Sequence, residues 1–301
     1  METRPFGRTG WQVSRLGAGL SEIGYGLTFA EEARASRVLN AALDAGINLL
    51  DTAACYSISE ELVGRTVASR RDEYFLATKA GHVTGGYEGQ EWTYKTVADS
   101  VDRSLVRMCT DHVDLVQLHS CGVDVLERGD VIRALQEARQ AGKTRFIGYS
   151  GDNEAALWAV RSGLFDTLQT SFNLADQRAR RELFPEARAR GMGIIAKRPI
   201  ANAAWGAASS PSGYADEYWR RAQAMAVEGP LPGAPEDRIS LALAFTLAHD
   251  AVDVAIVGTA NPDHVAANVR RLEAGLSLAP QTLAALHDRF ERLGAGWEQK
   301  G

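Results

Sequence analysis

The chain is short of cysteine, of basic charge and of long apolar runs. Its three cysteines, Cys55, Cys109 and Cys121, form an odd, widely spaced set without metal-ligand spacing. That excludes a disulfide framework and points to reduced thiols in a cytosolic protein. Lys and Arg number 33 against 38 Asp and Glu, a formal charge of -5. The clustered basic excess that a nucleic acid or an anionic membrane would demand is missing, so neither is expected as a partner. No apolar stretch approaches the roughly 20 residues that cross a bilayer, and the first residues lack the apolar core of a signal peptide. A cytoplasmic location is the expectation. None of these absences weakens the fold, because a chain of 301 residues buries roughly three quarters of its unfolded surface without staples.

What is present is an alternation. Eight short apolar runs occupy residues 15–20, 47–52, 74–79, 113–119, 145–150, 167–172, 193–197 and 254–259. Most are apolar at consecutive positions, as parallel strands buried on both faces are. Between and after them, residues 31–46, 59–70, 94–108, 130–142, 153–163, 180–191, 238–250 and 262–275 carry helical periodicity, and several of these stretches stop at glycine. Eight alternations predict an α/β fold, the (β/α)₈ TIM barrel, as one catalytic domain over residues 1–301, with a doubly wound sheet as the competing architecture. A β-hairpin turning at Thr9-Gly10 precedes the first barrel strand and would plug its bottom. Two longer excursions, residues 81–93 and 200–237, fall after strands, on the face where barrels build their sites. Residues 281–293 read as an amphipathic helix outside the barrel. Gly17-Ala18-Gly19 meets Glu22 where a dinucleotide fingerprint needs its third glycine, so it reads as a strand.

Polar residues that end apolar strands carry the chemical information, because burying them unpaired costs several kcal/mol. Asp51, Lys79 and His119 end three consecutive strand candidates, and Tyr56 follows Asp51 by five residues. In a barrel they converge. A phenol with a pKa near 10 is a poor acid-base group at neutrality unless a cation stabilises its phenolate. Lys79 would be that cation, Asp51 would keep it charged, and His119 would orient a substrate oxygen. Each also has a plainer reading: Asp51 as a turn carboxylate, Lys79 as an ion-pair partner, His119 as a core imidazole and Tyr56 as a packing aromatic. Their occurrence together favours chemistry.

At this point the sequence resembles the aldo-keto reductase family over nearly its whole length. The resemblance is carried by GRTGWQVSRLGAG, DTAACYSISEELVG, ATK, LVQLH, FIGYS, LQTSFN and VGTANPDHVAAN, and most specifically by Asp51, Tyr56, Glu61 and Gly64 followed by Lys79 and His119. It implies the (β/α)₈ barrel, NADP(H) or less often NAD(H) as cofactor, no metal, and hydride transfer between nicotinamide and a carbonyl or alcohol carbon of a small molecule. Tyr56 is then the proton donor, tuned by Lys79 and Asp51. Ser150 and Gln169 stand where the family holds the nicotinamide carboxamide, with Gly151 in place of a frequent Asn. Lys197 stands where many members stack an aromatic ring, and its role stays open between a phosphate or carboxylate contact and an ordinary ion pair. Gly258, Thr259, His264 and Asn268 match the adenosine end. Gly258 replaces a basic residue and His264 a frequent Arg, which loosens the implied preference for NADP.

The remaining features weigh less. The arginines between 178 and 190 read as a solvated helix face. Trp92, Trp205, Tyr214, Tyr218 and Trp219 lie in the two excursions and could wall a pocket. Cys55 and Cys121 adjoin Tyr56 and the segment after His119 but lack a base partner, and read as bystanders. The leading function is an NAD(P)(H)-dependent reductase of aldehydes, ketones or sugar-like carbonyls. An NAD-dependent sugar or polyol dehydrogenase, a cofactor-binding regulatory subunit and a Schiff-base aldolase using Lys79 are the alternatives.

Overall fold

A computed structural model of the protein describes residues 1–300. Strands β1 (Thr3–Pro5) and β2 (Gln12–Ser14) pair antiparallel, with Thr3 opposite Ser14. Eight parallel strands then close into a barrel: β3 (Leu16–Gly19), β4 (Leu49–Asp51), β5 (Phe75–Ala80), β6 (Val113–His119), β7 (Thr144–Ser150), β8 (Thr167–Ser171), β9 (Gly193–Lys197) and β10 (Val254–Gly258), the last returning to β3. They fall on the eight apolar runs to within two residues. Closure of β10 onto β3 excludes the doubly wound sheet.

The runs look uniformly apolar because each face has its own apolar partner. Leu49, Phe75, Ala77, Leu115, Ile195, Val254 and Ile256 form one cluster inside the barrel. Their alternates Leu50, Leu76, Val116, Leu118, Ile147, Leu168 and Ile194 belong to the larger cluster with the helices. A strand's period of two therefore survives inside a continuous run. The hairpin closes the bottom as the sequence predicts: Phe6 and Trp11 set their rings edge-on to Phe75, at centroid distances of 5.5 and 4.8 Å. A Cβ on Gly193 would lie 2.6 Å from the Phe6 ring, so only glycine leaves room for this plug.

Helices Glu32–Asp44, Ser59–Val67, Tyr94–Arg107, Asp130–Gln140, Asn153–Ser162, Leu183–Ala189, Arg238–Leu247 and Pro262–Glu273 surround the barrel, and Pro280–Leu293 packs outside them. Two sequence readings need correction. Residues 200–237 are not merely an excursion, because they contain the helix Asp216–Ala226, which buries Tyr218, Ala222 and Met225. The arginine-rich stretch is not simply a solvated face either. Arg188 pairs with buried Asp253 at 2.9 Å, Arg181 with Glu291 at 2.5 Å, and Arg178 donates to the Trp297 carbonyl at 2.9 Å. These partners lie far along the chain, beyond the reach of local charge spacing.

The outer helix is tied down by an imidazole pair. His249 Nδ1 lies 2.8 Å from the Phe245 carbonyl and donates to it, so His249 Nε2 accepts from His287 Nε2 at 3.0 Å. Burial, with Arg180 and His249 nearby, pushes His287 down to about 4. Its unfolded value is about 6.5, so the stabilisation is complete above that pH and is lost as pH falls through about 4. Thermal melts should therefore lose more Tm between these limits in the wild type than in His287→Gln; parallel losses would remove the pair from the acid response.

Candidate active site

On three consecutive strands the row of inward-facing residues changes from apolar to polar toward the C-terminal end. On β4 it runs from Leu49 to Asp51, on β5 through Phe75 and Ala77 to Lys79, and on β6 through Leu115 and Gln117 to His119. Parallel registry sets Lys79 beside Gln117, His119 beside Ser150, Ser150 beside Gln169, and Ser171 beside Lys197. The resulting polar ring lies above the apolar interior.

Asp51 is its hub. One carboxylate oxygen accepts from Lys79 Nζ at 2.6 Å, and both side chains are buried. The other accepts from Gln169 Nε2 at 2.8 Å and Gln117 Nε2 at 3.2 Å. Lys79 also donates to the Thr52 carbonyl at 2.8 Å, and Ser150 Oγ to Gln169 Oε1 at 2.9 Å. The structure thus joins Gln169 and Ser150, read as cofactor contacts, to the Asp51–Lys79 pair through one hydrogen-bonded chain. Gln117 was not anticipated, although its position two residues before His119 places it on the same inward row.

The charges follow from this geometry. Burial alone would lower the Lys79 pKa, but Asp51 and Tyr56 outweigh it and the ammonium is stabilised. The Lys79 nitrogen lies 4.8 Å from the Tyr56 ring centroid. Burial nevertheless pushes the Tyr56 phenol up to about 12, against the pull of Lys79. The net effect is opposite to a simple cation-lowered phenol: desolvation of the phenolate outweighs the lysine, and Tyr56 keeps its proton at neutral pH. His119 packs edge-on to Tyr56 at 5.7 Å and to His82 at 5.1 Å. Burial, then Lys79, His82, Lys197 and Arg198, hold its pKa well below the usual histidine range, so the imidazole is neutral. Cys55, read as a bystander, places Sγ 3.3 Å from His119 Nδ1. Of the excursion aromatics, Trp92 stands against His82 at 4.6 Å, whereas Trp219 donates to the Ala207 carbonyl and Tyr218 is buried against Asp176.

Lys197 takes the ion-paired option. Its ammonium lies 2.8 Å from buried Asp152, which also accepts from Thr170 Oγ1 and from the backbone and hydroxyl of Ser171. This side of the barrel is covered by the chain's own tail. Gln299 donates to Thr170 Oγ1 at 3.0 Å and the Ser171 carbonyl at 2.9 Å, and exchanges hydrogen bonds with Asn153. Lys300 donates its backbone N–H to buried Asp176 at 3.0 Å, and its carbonyl accepts from Ser171 Oγ and Arg198. Nothing in the local sequence of residues 297–300 signals these contacts, which reach more than 100 positions back.

At the far side, β10 ends at Gly258. A Cβ there would lie 1.7 Å from a Glu22 carboxylate oxygen, so the missing basic residue has been replaced by close approach of an acid. Thr259 Oγ1 accepts from the Asn261 backbone at 3.0 Å and lies 3.2 Å from His264 Nδ1. Asn261 caps the helix Pro262–Glu273 by accepting from Asp263 N at 3.0 Å. Asn268, on that helix, is buried and accepts from Arg271 at 3.2 Å.

Comparison with known proteins agrees with this architecture. The model of the Aldo/keto reductase family matches residues 15–286. The chain is 28% identical over 281 residues to L-galactose dehydrogenase of Arabidopsis thaliana, covering 89% of this chain and 87% of that protein. It is 27% identical to pyridoxal 4-dehydrogenase of Microbacterium luteolum, covering 89% and 92%. An aldo-keto reductase from Bacillus halodurans, solved in its holo form, superposes with a TM-score of 0.80 at 28% identity over 96% of each chain.

The tail contacts make a stability prediction. Gln299→Ala leaves the acceptors on Thr170, Ser171 and Asp152 without that donor, and should lower unfolding free energy by about 1–3 kcal/mol. Urea unfolding measures this, and a loss below roughly 0.5 kcal/mol, typical of an unengaged surface position, would mean that the tail is loosely held.

Proposed function

The chain belongs to the aldo/keto reductase family, and from that premise we propose that it is an NAD(P)(H)-dependent oxidoreductase reducing an aldehyde, ketone or sugar-like carbonyl, with Tyr56 as proton donor. The observation that carries the reading is the buried Asp51–Lys79 pair at 2.6 Å beneath Tyr56, with neutral His119 alongside.

The residues present suit a dinucleotide. Gly19 and Gly258 are opposite one another and carry no side chains, and the helix N-terminus capped by Asn261 favours phosphate. Ser150 and Gln169 would hold the nicotinamide half, with Lys197 beside them but held by Asp152; Gly258, Thr259, His264 and Asn268 would hold the adenosine half. A nicotinamide bound there would supply the hydride for the carbonyl carbon. Tyr56 O–H gives its proton to the carbonyl oxygen, and Lys79 stabilises the phenolate left behind. Asp51 keeps Lys79 charged throughout, and His119 orients the oxygen. A charged, carboxylate-paired Lys79 is a poor amine nucleophile, which argues against the Schiff-base alternative.

A second reading has its own support. Glu22 against Gly258 sets a carboxylate at the mouth of the adenosine end, where it would repel a 2′-phosphate and accept from ribose hydroxyls. That favours an NAD-dependent sugar or polyol dehydrogenase. Relatives named as an L-galactose dehydrogenase and a pyridoxal 4-dehydrogenase point in the same oxidative direction.

Fluorescence titration with NADPH and NADH in parallel, followed by an aldehyde and sugar panel, tests both readings; binding of neither nucleotide would overturn them. Tyr56→Phe should lower kcat by about 10²–10⁴-fold with nucleotide affinity unchanged, and a drop of less than about tenfold would refute the proton-donor role. His264→Arg should raise the ratio of specificity constants for NADP(H) over NAD(H). An unchanged ratio would sink the adenosine-end assignment.

A further inference from the structure

We propose that Cys55 is a positioning residue: its thiol donates to His119 Nδ1, so that the imidazole carries its proton on Nε2 and presents that N–H to the substrate oxygen. The inference rests on the reductase reading above for its last step, but the hold of the thiol on the imidazole stands on their contact and does not depend on that reading. Sγ lies 3.3 Å from Nδ1. Both groups are neutral: burial pushes the thiol up to about 11 and holds the imidazole below its ordinary range. In a neutral pair one partner must give the hydrogen. An imidazole nitrogen is a far better acceptor than a thiol sulfur, so the S–H points at Nδ1.

The surroundings leave the thiol as the group that sets the tautomer. A histidine is commonly oriented through a carboxylate or a backbone carbonyl. Around His119 stand instead the rings of Tyr56 and His82 and the cations Lys79, Lys197 and Arg198. Glu91, the nearby acid, is engaged by His82 Nδ1 at 3.1 Å. The Cys55 backbone is itself fixed, its carbonyl accepting from Tyr25 Oη at 2.7 Å, while Ala54 N–H donates to the Lys79 carbonyl at 3.1 Å. Cys55 and Tyr56 are consecutive. One short segment therefore supplies one donor directly and sets the other through a sulfur contact. Without the thiol, a neutral imidazole divides between two tautomers, and the wrong one turns a bare lone pair toward the lone pairs of a carbonyl oxygen.

Three variants separate this from packing. Cys55→Val fills the space without a donor, Cys55→Ala empties it, and Cys55→Ser restores an O–H. The ¹⁵N spectrum of His119, recorded without substrate, should show a protonated Nε2 and an unprotonated Nδ1 in the wild type and in Cys55→Ser, and mixed tautomers in Cys55→Val and Cys55→Ala. In turnover, kcat/KM should fall by about tenfold in Cys55→Val and Cys55→Ala, the scale of one lost hydrogen bond, and recover in Cys55→Ser. An unmixed wild-type tautomer in Cys55→Val, or activity in Cys55→Val above that of Cys55→Ser, would overturn the proposal. A Cys55-dependent tautomer in an enzyme that turns over no carbonyl would uphold the hold on the imidazole while overturning the reductase reading.

Discussion

A buried carboxylate and a buried ammonium 2.6 Å apart organise the upper half of this barrel. Neither can be left alone: removing one partner of such a pair strands the other in a low-dielectric interior, at about 3–5 kcal/mol. The other oxygen of Asp51 is met by two glutamine amides, and a second proton of Lys79 by a backbone carbonyl, so the pair recruits β4, β5, β6 and β8 into one network. Ser150 on β7 joins through Gln169. An interaction that satisfies itself from five of eight strands also fixes where those strand ends lie.

The same pair sets the electrostatics around it. Its cation pulls the Tyr56 phenol down and helps keep His119 uncharged, while desolvation pulls the phenol up. The outcome is that Tyr56 and His119 both stay neutral beside a compensated ion pair.

The barrel was legible because each strand announces itself twice, by its apolar run and by the glycine or polar residue that ends it. Three of the four clustered side chains were legible for the same reason: Asp51, Lys79 and His119 are the polar residues that close runs otherwise committed to burial, whereas Tyr56 was placed by its spacing from Asp51. Gln117 could have been found by reading every second residue back from His119, which exposes the inward row. Other features had no local signal. The role of Lys197 stayed open in the sequence, because its partner Asp152, 45 positions earlier, comes into contact only through the β8–β9 registry. The role of Cys55 depends on which ring nitrogen it meets, and spacing along a chain does not encode that.

The tail has a consequence in time. A chain is made from its N-terminus, at roughly 5–20 residues per second. Asn153 and Gln299, which bond to each other, are separated by 146 positions, so the first waits roughly 7–30 s for the second. Through that interval Asp152 and Asp176 lack the partners that residues 299 and 300 bring. The strands can pair while the ribosome is still at work, but this flank of the upper barrel is finished only once residues 299 and 300 have emerged.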